Sequence, residues 1–189
     1  MGRRWSVGLL WLALLAGPAA ANETLEPELR EIERLGYAAH WRESDERIQA
    51  LADRQDELSR EQRQRLEYVR LRNLGIAGRL EEAVEGFDRL LREEMPAKLK
   101  VKAFSTAASI AANLEDWTMA FTWLGEALSY VPEVPDDAPR VLGMASYLHS
   151  LVGETDKARE LALRGLAMVE DSGDQRAICH ALSDLALAE

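Results

Sequence analysis

Apolar side chains recur along most of the chain with the spacing of helices that bury one face. The segment 80–91 shows this best, with apolar residues at positions 80, 83, 84, 87, 90 and 91, which is the i, i+3, i+4, i+7 spacing of an amphipathic helix. The sustained period-two alternation of strands is missing from the sequence, and strong helix formers such as Ala, Leu, Glu and Arg dominate it. The pattern therefore predicts an all-α protein.

Start and stop signals divide this pattern into short helices. Ser59 and Gln62 have the spacing of a capping box, and Asp116, Thr155 and Asp174 stand before apolar runs as N-cap residues do. Glycine and proline punctuate the gaps between the runs. These signals predict nine helices, over residues 25–40, 43–57, 60–77, 80–94, 97–114, 117–130, 138–152, 156–171 and 175–188.

The first 21 residues have the pattern of a secretory leader. Two arginines near the N-terminus are followed by an apolar run over residues 5–16 and by three alanines at 19–21. This order is typical of a signal peptide and predicts cleavage before Asn22. The apolar run is shorter than the ~20 residues that span a bilayer, which favours cleavage over an uncleaved anchor. We therefore expect an exported mature chain without membrane insertion, periplasmic if the cell is Gram-negative.

A small or aliphatic residue stands early in every second predicted helix. These residues are Ile48, Ala83, Ala120 and Ala158, at spacings of 35, 37 and 38 residues. A larger apolar residue follows each of them three or four positions later. Self-similarity at such a period is typical of repeat proteins built from pairs of helices.

The residues at these spacings resemble the tetratricopeptide repeat (TPR) family. The third repeat matches the family's pattern best, with Ala107-Ala108, Asp116-Trp117, Ala120, Leu124, Ala127 and Pro132. The resemblance covers roughly residues 25–189, and it is weakest in the first repeat, where Ile48 replaces the expected alanine. The spacings of 37 and 38 exceed the family's 34 and are similar to the long repeats of bacterial regulators and extracytoplasmic sensors.

The resemblance implies a right-handed α-solenoid of antiparallel helix pairs, with about four repeats and one extra helix. Its expected organisation is a signal peptide at 1–21, a degenerate first repeat at 22–58, repeats at 59–96, 97–135 and 136–173, and the first helix of an incomplete fifth repeat at 174–189. That last helix is mostly apolar, whereas solenoids usually end on a helix with a polar outer face. The pattern favours a truncated chain or a docked partner over an array that closes on this helix.

Charge and candidate chemistry narrow the function classes. The chain has 33 acidic and 23 basic residues and a formal charge of −10, which argues against nucleic acid and anionic membranes as partners. Its single cysteine excludes an intrachain disulfide, and its three histidines do not share a helix face that would bind a metal. Cys179 and His180 point about 100° apart on a helix, so Cys179 is interpreted as a buried thiol. We expect no enzyme activity, no cofactor and no metal site.

Surface recognition is the remaining class. In TPR proteins the first helix of each repeat lines the concave side. Matching the repeats places four cations near the starts of those helices: Arg65, Lys102, Arg140 and Arg176. Such cations would form a positive stripe that holds an acidic or carboxylate-bearing peptide; the alternative is four helix-surface charges without a ligand. The candidate partner-binding residues are Arg65, Tyr68, Arg72, Lys102, Ser105, Ser109, Asn113, Arg140, Tyr147 and Arg176.

The sequence leaves two functions open. The first is an exported TPR-like scaffold that binds a peptide or protein partner on its concave face. The alternative is the extracytoplasmic sensor region of a longer signalling protein, such as a diguanylate cyclase or a kinase. A hydrolase whose repeats flank an active site finds no support in the residues, because no catalytic motif is present in the sequence.

Overall fold

The computed structural model describes residues 18–38, 40–170 and 174–187, and this part of the chain is helical without any strand. The prediction of an all-α protein is therefore confirmed. Its nine α-helices are α1 (Pro18–Tyr37), α2 (Trp41–Ala50), α3 (Arg60–Ile76), α4 (Leu80–Leu91), α5 (Ala97–Asn113), α6 (Trp117–Ser129), α7 (Ala138–Leu151), α8 (Thr155–Val169) and α9 (Gln175–Leu187). Short 3₁₀ segments occupy Ala52–Glu57, Val131–Glu133 and Pro135–Asp137.

The predicted helix bounds agree with the structure to within a few residues in most places. The first two helices differ most. The second helix ends at Ala50 and is followed by a 3₁₀ segment in which Arg54 leaves helical geometry (φ −112°, ψ 15°). The first helix begins at Pro18 rather than at residue 25. Residues 1–17 of the predicted leader lie outside the described residues, so the leader stays a prediction.

Most predicted caps form. The Ser59 hydroxyl accepts a hydrogen bond from the Gln62 amide at 3.1 Å, and the Gln62 side chain accepts one from the Ser59 amide at 2.9 Å. Asp116 accepts from Met119 N at 3.0 Å. The prediction for Thr155 is wrong, because Thr155 is the first residue of α8 and the capping position before it makes no side-chain cap.

The chain divides into two compact units, Met1–Arg70 and Leu71–Glu189. In the first unit, α1 packs against α2 and the following 3₁₀ segment. Its buried leucines Leu25, Leu29 and Leu35 lie on one face with Ile32, and all four are at most 3% exposed. Ser44 of α2 is fully buried and donates a hydrogen bond to the Ile32 carbonyl. The stripe on α1 thus supplies much of this unit's core.

In the second unit, each helix from α4 to α9 packs against the next one along the chain. Contacts also join α5 to α7 and α7 to α9, so alternate helices lie side by side. Ala83, Ala120 and Ala158 are fully buried, and a larger side chain at such closely packed positions would push neighbouring elements apart. The fourth sequence marker, Ile48, lies in the first unit and is only partly buried.

Three turns of the second unit share one backbone conformation. Gly78, Glu115 and Gly153 have φ of 80°, 59° and 79°, and each stands two residues before a helix begins. In each turn the next amide bonds to a carbonyl five residues earlier: Arg79 to Leu74, Asp116 to Ala111 and Glu154 to His149. This is the Schellman ending of a helix, which favours glycine at the left-handed position. The turns recur at the spacing of the sequence markers.

Glu115 is the residue in these turns that is not suited to its conformation. Replacing it with glycine removes the cost of the left-handed backbone for a residue with a Cβ. We expect Glu115→Gly to raise the free energy of unfolding by about 1 kcal/mol, measured by urea denaturation. As the matched control, Gly153→Ala should lower it by about as much, because an added Cβ meets nothing within 4 Å there and the effect is purely one of the backbone. If both substitutions changed the free energy of unfolding in the same direction, the left-handed backbone at Glu115 would not carry this cost.

Candidate functional site

Arg65 is the predicted site residue with the clearest contacts, and all of them lie inside the first unit. Its guanidinium donates to both oxygens of Glu33, at 2.8 and 2.9 Å, and to both oxygens of Glu26, at 3.0 Å. The Arg65 side chain is 19% exposed. Two carboxylates of α1 therefore pair with the guanidinium that the sequence pattern predicts to bind a partner.

The ion pairs around Arg65 shift the pKa values of their members. The hydrogen bonds that Arg65 donates to Glu33 raise the pKa of Arg65 and outweigh its burial. Burial alone would raise the pKa of Glu26, but the hydrogen bonds and charge of Arg65, aided by Arg30 and Gln62, lower it overall. Glu26 thus stays ionised to lower pH in the folded chain than in the unfolded chain, and the pairing with Arg65 stabilises the first unit.

Two other predicted site residues are buried. The Tyr68 side chain is 4% exposed, and its hydroxyl lies 3.4 Å from that of Tyr37. Ser105 is fully buried and donates a hydrogen bond to the Val101 carbonyl at 2.8 Å. In this conformation neither side chain is available to a partner. Their polar groups satisfy hydrogen bonds within the fold instead.

The remaining predicted residues lie in the second unit at several levels of exposure. Arg72, Lys102 and Ser109 are half-buried, and Asn113 is exposed at the end of α5. They do not line the groove described next. Arg176 lies in α9, and its side chain falls outside the described part of the chain.

Arg140 and Tyr147 are brought together by a groove of about 500 Å³ in the second unit. The groove runs between α7 and α9, which pack against each other. The residues of each helix that line it recur every three or four positions, so they share one helix face. They are Pro139, Arg140, Gly143, Met144 and Tyr147 of α7, and Ala177, His180, Ala181 and Asp184 of α9, with Asp136, Val169 and Asp174 at its edges.

The charge of this groove differs from the expected positive stripe. Arg140 is exposed, and its Nε lies 3.9 Å from a carboxylate oxygen of Asp137. Three carboxylates, those of Asp136, Asp174 and Asp184, line the groove with Arg140 and one histidine. This part of the predicted surface therefore carries no excess of positive charge.

Asp184 has the most unusual environment in the groove. It is half-buried where α9 crosses Gly143 of α7, and a methyl group added at Gly143 would overlap the Asp184 carboxylate. Burial raises the pKa of Asp184, and the nearby His180 lowers it by less. Asp184 is not among the residues predicted from the sequence. The sequence signal is that Asp184 lies on the same face of α9 as the small residues Ala177 and Ala181, but this face indicates a site only once the position of α7 is known.

Groups that could support other chemistry are separate from one another. In the described ranges, no three His, Cys, Asp or Glu side chains come together as ligands for a metal ion. Cys179 is exposed, so its interpretation as a buried thiol is wrong; Ala181, two residues further along α9, is buried instead. No described helix combines the length and apolar character needed to cross a bilayer.

Comparison with models of protein families and with curated proteins finds no match to this sequence.

Removing the Arg65 guanidinium should destabilise the chain. We expect Arg65→Met to cost about 1–3 kcal/mol at pH 7, because it leaves Glu26 and Glu33 without their shared partner in a partly buried site. The control is Arg30→Met, since Arg30 pairs with the same Glu26 from a side chain that is 75% exposed, and its loss should cost at most about 0.5 kcal/mol. Urea denaturation measures both, and equal costs would contradict a structural role for Arg65.

The pH dependence of the Arg65 effect follows from Glu26. Because the folded-state pKa of Glu26 is lowered, its stabilisation is complete above its ordinary pKa of about 4.3 and is lost as the pH falls through the folded-state value. The difference between wild type and Arg65→Met should therefore shrink below about pH 4.

Asp184→Asn should stabilise the chain at pH 7, whereas Arg65→Met should destabilise it. Because the pKa of Asp184 is raised in the folded chain, ionising this group costs stability as the pH rises from about 3.9 through the raised value. The asparagine variant avoids that cost. We expect its melting temperature to exceed that of wild type at pH 7 and the difference to vanish near pH 3.5. A lower melting temperature for Asp184→Asn at pH 7, with a normal helical circular dichroism spectrum, would contradict this environment.

Proposed function

We propose that the mature chain is an exported, non-catalytic scaffold of the TPR type that binds a peptide or protein partner in the groove between α7 and α9. The observation that carries the proposal is the groove itself, because two residues chosen from the repeat pattern, Arg140 and Tyr147, line one cavity. A volume of about 500 Å³ lies in the range of ligand sites in proteins.

The repeated turns support a solenoid of helix pairs. Gly78, Glu115 and Gly153 follow alternate helices, α3, α5 and α7, with the same left-handed backbone conformation and the same backbone hydrogen bond. The contacts of α5 with α7 and of α7 with α9 are those expected when first helices of successive repeats lie side by side. A right-handed superhelix is the arrangement that we infer from these features and from the resemblance of the sequence.

The exposed and half-buried residues of the predicted surface have a place in this proposal. Lys102, Ser109 and Asn113 lie on α5, which packs against α7, and we propose that they extend the binding surface beyond the groove. Arg65 has no such role in the proposal, since its hydrogen bonds go to Glu26 and Glu33.

Site-specific crosslinking tests the proposed function. A photo-reactive phenylalanine analogue at Tyr147, in the groove, should form an adduct with a partner in the cell. The matched control is the same analogue at Arg92, which is exposed after α4 and lies outside the groove. The purified partner should bind Tyr147→Ala at least about tenfold more weakly than wild type, because aromatic anchors dominate such interfaces.

The outcome at the control position decides the test. Adducts of equal yield from positions 92 and 147 would indicate nonspecific proximity and contradict a site in the groove. A partner whose affinity is unchanged by Tyr147→Ala would do the same.

A further inference from the structure

The carboxylate of Asp184 accepts no hydrogen bond in the described part of the chain. It lies against Gly143, whose missing side chain leaves room for it between α7 and α9. The nearest ionisable group that interacts with it is the ring of His180, one turn earlier on α9. A half-buried carboxylate without a donor is costly to the fold, and a cation from a ligand would supply the missing interaction.

The rest of the groove favours a cation over an anion. Asp136 is exposed, Asp174 accepts a hydrogen bond from Ala177 N at 3.1 Å, and Arg140 lies beside Asp137, which offsets its charge. The lining therefore presents more negative than positive charge within a chain that is itself acidic. Such a field attracts basic ligands and repels acidic ones.

The groove walls suit the stem of a long basic side chain. Met144, Ala177 and Ala181 provide apolar surface in the same groove as Asp184, and the methylenes of lysine or arginine pack on such surface while the charged end stays paired. Tyr147 offers an aromatic ring, which attracts cations at its face.

We propose that the groove between α7 and α9 binds a lysine or arginine side chain of a peptide partner, with its cation on the carboxylate of Asp184 and its stem against Met144 and Ala181. The inference rests on the proposed function and specifies its ligand. It replaces the acidic peptide expected from the sequence with a basic one at this site.

Selection from a random nine-residue peptide library on the purified protein tests the inference. Peptides whose binding is lost on Tyr147→Ala are the groove binders, and they should carry Lys or Arg. Replacing that residue with norleucine, which keeps the stem and removes the charge, should weaken binding to wild type at least tenfold. The Asp184→Asn variant should bind the basic peptide and its norleucine version with affinities within about twofold of each other.

Two further variants complete the design. Asp184→Lys should reverse the preference, so that a glutamate-bearing version of the peptide binds better than the lysine-bearing one. Asp156→Asn removes an exposed carboxylate at the start of α8, outside the groove, and should leave the tenfold ratio unchanged. Circular dichroism establishes that each variant is folded.

The failures of the two proposals are distinguishable. Groove binders that lack Lys and Arg, or a lysine-to-norleucine ratio that Asp184→Asn leaves at tenfold, would overturn the cation site while the peptide groove stands. A library that yields no peptide dependent on Tyr147 would overturn both.

Discussion

Close approach of neighbouring helices is the constraint on which the second unit depends. Ala83, Ala120 and Ala158 are fully buried in this unit, and a methyl group added at Gly86 would overlap Leu71, which is itself fully buried. The same constraint shapes the groove, since the absence of a side chain at position 143 lets α9 place a carboxylate against α7. Small residues thus set both the packing of this unit and the chemistry of its cavity.

The first unit is stabilised in a different way. Much of its core is a stripe of large aliphatic residues on α1, and two carboxylates of α1 converge on one guanidinium, that of Arg65. Arg65 bonds to residues 32 and 39 positions earlier in the chain, a distance over which the periodicity of a single helix carries no information. A cation that the repeat pattern assigns to a partner is therefore an internal link between α1 and α3.

Local signals are enough to predict the helices and most of their caps. The capping box at Ser59 and Gln62, the cap at Asp116 and the apolar stripe of α4 depend on residues within one or two turns of each other. The rotation of a helix against its neighbours does not depend on such nearby residues alone. For this reason the pattern wrongly places Ser105 on the surface and Cys179 in the core. Asp184 acquires its character from Gly143, forty-one positions earlier, and no pattern within α9 reveals that contact.

The state of Asp184 in the free protein tests the central claim most directly. Titration of its carboxyl resonance by NMR measures its pKa without any knowledge of the partner. A half-buried carboxylate with no donor among the described residues should titrate above the ordinary aspartate value of about 3.9, and addition of a lysine-bearing groove peptide should lower that pKa. A pKa at or below the ordinary value in the free protein would show that the carboxylate already has a partner or is fully solvated, and would contradict the account.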